Sequence, residues 1–63
     1  MKMYLMEVRE RKNLSTRELA AKSGVSRSHI QKIENSEANP SIETMCKLAK
    51  ALDVSVHDLF SCE

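Results

Sequence analysis

The chain has 63 residues, enough for one domain, and a chain of this size buries only about 60% of its unfolded surface. One glycine, one proline and two aromatic residues in a chain rich in Ala, Leu, Lys and Glu favour helices around an aliphatic core. The net charge is +1. No run of 18 apolar residues is present that could span a membrane, and the start of the chain does not read as a signal peptide, so we expect a cytoplasmic protein.

The first predicted helix runs from about Lys2 to Lys12. Its inner face carries apolar residues at i, i+4 and i+7, with an aromatic residue beside them: Met1, Leu5, Val8 and Tyr4. Met3 and Met6 lie off that face. They are either scattered exposed residues or part of a contact with a second chain.

The second helix runs from about Thr16 to Ser23. Ser15 is expected to cap it, and Glu18, three residues on, completes a capping box. Its inner residues are Leu19 and Ala20. The only glycine of the chain, Gly24, falls where the helix has to stop and where a positive φ is needed.

The third helix runs from about Ser26, its predicted N-cap, to Glu34. Val25 fills the turn before it, and Ile30 and Ile33 form its inner side. The outer side is polar, with four side chains able to form hydrogen bonds with DNA: Arg27, Ser28, Gln31 and Lys32.

A fourth helix is predicted from about Ser41 to Leu52. Its buried stripe consists of apolar residues at helical spacing: Ile42, Met45, Leu48, Ala49 and Leu52. Cys46 borders this stripe and reads as a small apolar residue. A short fifth helix from about Val56 to Phe60 is capped by Ser55 and Asp58. Three apolar residues at this end close the bundle or form a dimer contact: Val54, Leu59 and Phe60.

The spacing of Ala20, Gly24, Val25, Ile30 and Ile33 resembles the helix-turn-helix of the phage repressor and Cro type proteins, the XRE-like family. The resemblance continues outside the motif through five further segments: 14–15, 39–41, 48–52, 54–55 and 58–60. It therefore covers nearly all of residues 1–63. It implies a compact all-α domain of five helices, with the helix-turn-helix at helices two and three.

The resemblance implies that the third helix enters the major groove of double-stranded DNA. Its base contacts would come from Arg27, Ser28, Gln31 and Lys32, with Arg27 suited to bidentate recognition of guanine. The expected contacts to the DNA backbone come from residues of helix two and of both flanks of helix three: Thr16, Arg17, Ser26, Asn35, Asn39 and Ser41.

Arg9 and Glu34 match a pair of the family that joins the first helix to the end of the third, so we expect a structural ion pair rather than a DNA contact. Three positions depart from the family pattern. Thr16 stands where Gln is usual, and its shorter side chain cannot span the gap across which Gln braces the recognition helix. Asn13 and Ser36 stand where Gly is common at helix ends. Asn tolerates the left-handed conformation better than other residues with a side chain.

Charge is unevenly distributed. Residues 9–32 contain seven basic and two acidic residues, whereas residues 33–63 contain two basic and six acidic ones. Such a distribution can place a positive surface over DNA. We expect a transcriptional regulator, most simply a repressor, that binds a pseudo-palindromic operator as a homodimer. The alternative is a protein-interaction module on the same fold, such as an antitoxin-like or adaptor partner.

An enzyme is not expected, because the chain has no nucleophile–base set, no phosphate loop and no room for a buried active site. Cys46 and Cys62 read as free thiols in a reducing compartment. Neither has metal-ligand spacing with His29 or His57. His29 is expected to be partly exposed, with a role in packing. No cofactor, metal or small-molecule ligand is predicted.

Overall fold

The computed structural model describes residues 2–62, which form four α-helices, one short 3-10 helix and a two-stranded sheet. In chain order the elements are strand β1 Lys2–Met3, helices α1 Leu5–Arg11, α2 Thr16–Ser23, α3 Arg27–Glu34 and α4 Ile42–Leu52, the 3-10 helix Val56–Asp58, and strand β2 Phe60–Ser61. The repressor-type helical architecture is present, but the expected count of five α-helices is wrong for the described residues.

The first helix is shorter than its apolar spacing predicts. It begins at Leu5, because Lys2 and Met3 form a strand antiparallel to β2, with Lys2 opposite Ser61 and Met3 opposite Phe60. The Tyr4 amide continues this pairing by donating to the Leu59 carbonyl at 2.8 Å. Pairing of the two ends of the chain therefore replaces the first helical turn. Met1, predicted on the inner face of this helix, lies outside the described residues.

The predicted fifth helix, Val56–Phe60, is a single 3-10 turn that ends at Asp58. The Asp58 carboxylate accepts from the Ser55 amide at 3.0 Å and from the Ser55 hydroxyl at 3.2 Å, so the expected cap is present. Leu59 is fully buried and Phe60 is half-buried in β2. The turn stops early because Phe60 and Ser61 pair with β1 instead of continuing the helix.

The core is one aliphatic cluster to which all four α-helices contribute. Its buried members are Leu5, Val8, Leu19, Val25, Ile30, Ile33, Met45, Leu48, Ala49, Leu52 and Leu59. Val54 and Tyr4 are partly buried against it, as is Ala20.

The prediction for the buried stripe of α4 is wrong at Ile42, and Cys46, predicted at the border of the stripe, is exposed to solvent. Ile42 is 71% exposed. At 3.6 residues per turn, Ile42 lies about 70° from the centre of the stripe formed by the four buried residues, and Cys46 lies still farther round. Ile42 is also the first residue of the helix, where the stripe has not yet begun.

Three helices end in the same way. After α1, α3 and α4, one residue adopts a left-handed conformation: Asn13 (φ 60°), Ser36 (φ 61°) and Asp53 (φ 57°). In each case the next amide bonds back to a carbonyl five residues earlier, for example Glu37 N–H to the Lys32 carbonyl at 2.8 Å. This is the Schellman ending, which satisfies carbonyls that the helix leaves free.

Candidate nucleic-acid interface

The helix-turn-helix is built from two capped helices. The Ser15 hydroxyl accepts from the Glu18 amide at 3.0 Å, and the Glu18 carboxylate accepts from the Ser15 amide at 2.9 Å. The predicted capping box at the start of α2 is therefore confirmed. At the start of α3, the Ser26 hydroxyl accepts from the His29 amide at 3.1 Å. Both helices begin where the serine side chains satisfy free amides.

The turn between the helices depends on Gly24 and on its two neighbours. Gly24 has φ 77°, and its amide closes α2 on the Ala20 carbonyl at 2.9 Å. The Ser23 hydroxyl then accepts from the Val25 amide at 3.1 Å, a bond that was not predicted from the sequence. A serine two residues before a turn amide was the available signal. Val25 is buried, as predicted, and anchors the turn in the core.

Helix α3 has one buried side and one exposed side. Ile30 and Ile33 are completely buried, so the helix cannot rotate without exposing them. The opposite side carries the predicted base-reading residues, all of them exposed: Arg27, Ser28, Gln31 and Lys32. Helical spacing places these four side chains on one continuous surface. His29 is partly exposed, as expected.

The polar side chains on the exposed side of α3 are free to bind another molecule. Within residues 2–62, the side chains of Arg27, Ser28, Gln31 and Lys32 form no hydrogen bond or ion pair with another residue. Between them they offer a guanidinium, an ammonium, an amide and a hydroxyl, which are donors and acceptors that match base edges and phosphates. Nothing in the described chain competes for them.

The predicted backbone-contacting residues precede and follow α3 in the chain, and they differ in exposure. Arg17, Asn35 and Asn39 are exposed, and Thr16 is half-buried at the start of α2. Ser26 uses its oxygen as the cap of α3, which leaves its hydroxyl proton free to donate.

Ser41 is already engaged. Its oxygen accepts from the Thr44 amide at 3.1 Å, and its hydroxyl donates to the Thr44 hydroxyl at 3.0 Å. A phosphate contact from the Ser41 hydroxyl has to replace the bond to Thr44.

The position of α3 is also held by an ion pair at its end. Arg9 Nε donates to Glu34 Oε2 at 2.7 Å, and its Nη2 donates to Oε1 at 3.2 Å. A third Arg9 donor, Nη1, bonds the Leu14 carbonyl at 2.8 Å. The two side chains are only 13% and 6% exposed. From α1, Arg9 thus joins the loop before α2 to the end of α3. The pair with Glu34 is the one that the family resemblance implies, and the bond to Leu14 is an additional contact.

These contacts shift the pKa values of two ionisable groups. The hydrogen bond to Glu34 raises the pKa of Arg9 above its ordinary value, against the opposing effect of burial. Hydrogen bonds from the backbone and side chain of Ser15 lower the pKa of Glu18, with a smaller contribution from Lys22. Both groups therefore stay charged at neutral pH, one in the brace of α3 and one in the cap of α2.

Residues 2–62 contain no group of three or more His, Cys, Asp or Glu side chains that could hold a metal ion. Cys46 and Cys62 are both free and exposed. In the same range, no helix has both the length and the apolar character needed to cross a membrane.

The helix-turn-helix geometry is shared with known proteins. A family model described as helix-turn-helix matches residues 5–59. The HTH-type transcriptional regulator SinR of Bacillus subtilis is 45% identical over 56 residues, which cover 87% of this chain and 50% of SinR. The chain thus spans about half the length of the curated relatives it matches.

Solved structures agree at the level of the fold. The restriction-modification controller protein C.AhdI from Aeromonas hydrophila superposes with a TM-score of 0.85 at 41% identity, covering 89% of this chain and 85% of that chain. A structure of SinR, the master regulator for biofilm formation, in complex with DNA has a TM-score of 0.77 at 42% identity, covering 84% of this chain and 86% of that one. The chain belongs to the XRE-type helix-turn-helix family.

Proposed function

We propose that the chain binds double-stranded DNA sequence-specifically as part of a transcriptional regulator, most simply a repressor. Helix α3 lies in the major groove, and residues 16–17, 26, 35, 39 and 41 follow the DNA backbone on either side. A homodimer of this kind reads a pseudo-palindromic operator, with half-sites about 10 bp apart or a multiple of that.

The observation that carries the proposal is the two-sided nature of α3. Ile30 and Ile33 fix the orientation of the helix, while Arg27, Ser28, Gln31 and Lys32 stay exposed and uncommitted. The structure of SinR in complex with DNA adds support, because that protein superposes over 84% of this chain. Phosphate contacts from the basic residues of the segment 9–32 supply affinity, and the four side chains of α3 supply base preference.

Arg27→Ala tests the role of α3 directly. We expect a loss of about 1–3 kcal/mol in binding free energy and a relaxed preference at one base pair, because a bidentate guanine contact is removed. Fluorescence anisotropy with the preferred duplex and with single-base variants measures both effects.

Lys2→Ala is the matched control. It removes the same charge from the terminal strand, outside the helix-turn-helix, and should leave base preference unchanged. If Arg27→Ala binds DNA like the unmodified chain, Arg27 does not read a base, and the result counts against α3 as the reading helix. The same surface then serves a protein partner, as in an antitoxin-like or adaptor module.

A further inference from the structure

The outer side of α4 carries both apolar and charged residues that are exposed to solvent. Ile42 is 71% exposed, and the Glu43 and Lys47 side chains are 81% and 51% exposed. Cys46 and Lys50 are exposed as well. Together these five residues form what we call the α4 surface, on the side of the helix away from the core.

The α4 surface combines apolar and charged residues in a defined order. Ile42 and Cys46 are one turn apart and form an apolar edge along the helix. Glu43 and Lys50 lie at equal distances along the helix from the point midway between Cys46 and Lys47, with Glu43 before that point and Lys50 after it. A two-fold axis at that point therefore exchanges opposite charges.

We propose that the α4 surface pairs two copies of this chain, with their α4 helices antiparallel. In this arrangement Glu43 of each copy faces Lys50 of the other, the two Cys46 side chains lie next to each other, and Ile42 covers the aliphatic part of Lys50 across the interface. Such an interface is isologous, because the same surface is used by both copies.

The predicted association is weak and sensitive to salt. A single helix face is smaller than a standard stable interface. In the isolated chain Glu43 already contacts Lys47 at 3.5 Å, so pairing exchanges one ion pair for another rather than adding one. Exposed ion pairs of this kind are screened by added salt. The α4 surface is thus the contact of the homodimer proposed above, and its self-association is measured without DNA.

Cross-linking tests the geometry. In a Cys62→Ser chain, Cys46 is the only thiol, and a short bismaleimide should join two copies by adding one thiol to each maleimide. The Cys46→Ser chain keeps Cys62 and should give little product. A thiol placed on α1, by Glu10→Cys in a chain with both natural cysteines replaced by serine, is the matched control. Equal yields from positions 46 and 10 would contradict the proposal.

Charge reversal tests the pairing itself by sedimentation equilibrium at low salt. Glu43→Lys or Lys50→Glu should weaken self-association about fivefold, because two ion pairs per dimer become repulsive. The double variant should restore it to within about twofold. Ile42→Glu should also weaken it, and at the first position of a helix an acid does not disturb folding.

Thermal unfolding of each variant keeps the test valid, since these exposed positions should leave the melting temperature nearly unchanged. A double variant no better than either single variant would overturn the proposal. Self-association that is equally strong in all of these variants would also overturn the proposal. It would point to the end of the chain near Phe60 as the dimer contact. Neither result bears on the DNA proposal, which is tested separately through Arg27→Ala and through DNA binding itself.

Discussion

Individual residues of this domain carry backbone strain at three helix ends. Asn13, Ser36 and Asp53 adopt positive φ in Schellman endings, where glycine is the residue without a steric penalty. Asn and Asp bear the conformation more easily than Ser, because their short polar side chains can bond locally. Ser36 is therefore the most strained of the three, and it lies in the loop between α3 and α4.

Ser36→Gly should stabilise the fold by about 0.5–1 kcal/mol, and so raise the melting temperature by a few degrees. The relief of left-handed strain exceeds the greater freedom that glycine gives the unfolded chain. Thermal unfolding followed by circular dichroism measures the change.

The control is Ser28→Gly, since Ser28 is an exposed serine inside α3 with ordinary helical φ. There glycine should lower stability by about 0.5 kcal/mol. A melting temperature for Ser36→Gly that is unchanged or lower would show that the left-handed residue at this turn carries no strain.

The capping box makes the start of α2 depend on pH. Because the folded pKa of Glu18 is lowered, its stabilisation is present above the unfolded pKa and is lost as the pH falls through the folded value. The stability difference between the unmodified chain and Glu18→Gln should therefore be largest near neutral pH and shrink in acid. Urea unfolding at a series of pH values measures it, and a difference independent of pH would exclude the charged cap.

At the scale of elements, Arg9 holds three parts of the chain in register. Its guanidinium joins α1 to Glu34 at the end of α3 and to the Leu14 carbonyl before α2. Because the pair is largely removed from water, loss of one partner strands the other charge. The orientation of the proposed reading helix thus depends on a residue that lies outside the helix-turn-helix.

Glu34→Leu or Arg9→Met should each lower the free energy of unfolding by about 3–5 kcal/mol, because one buried charge is left unpaired. The double variant should lose less than either single variant, since no stranded charge remains. Urea unfolding of all four chains provides the double-mutant cycle. Additive losses would mean that the two residues do not act as a pair.

The sequence predicts the elements best where the controlling contacts are local. The capping box at Ser15, the left-handed Gly24 and the cap at Ser26 all involve bonds within four residues, and all are present. The terminal sheet was missed because Lys2 and Met3 are paired by residues at the other end of the chain. The exposure of Ile42 was missed because Ile42 was counted with the buried stripe of α4, although it is the first residue of the helix and lies to one side of the stripe.

The candidate site divides in the same way. The sequence identifies the outward side of α3, because buried isoleucines on one side define the other. Only the structure shows which of the predicted side chains are free to bind DNA. Ser41 was predicted to contact DNA, but its hydroxyl donates to Thr44. The base contacts of Arg27, Ser28, Gln31 and Lys32 remain predictions, since base recognition depends on a DNA surface as well as on the helix.

At the scale of the whole molecule, the distribution of charge along the chain follows the order of the helices. The basic segment, residues 9–32, contains α2 and most of α3, whereas five of the nine acidic residues follow α3 in the chain. A net charge of only +1 therefore does not describe the field near the helix-turn-helix. Locally concentrated positive charge attracts the phosphate backbone even when the molecule is nearly neutral overall.

The most direct test of DNA reading by α3 is the affinity for a duplex selected from a random pool, measured across a range of salt concentrations. We expect a palindromic consensus with guanine at a fixed position. With about four phosphates neutralised per dimer, affinity should fall about 100-fold between roughly 50 and 200 mM salt. Weak binding without a consensus, unaffected by salt, would contradict the DNA-binding account and favour a protein partner for the exposed side of α3.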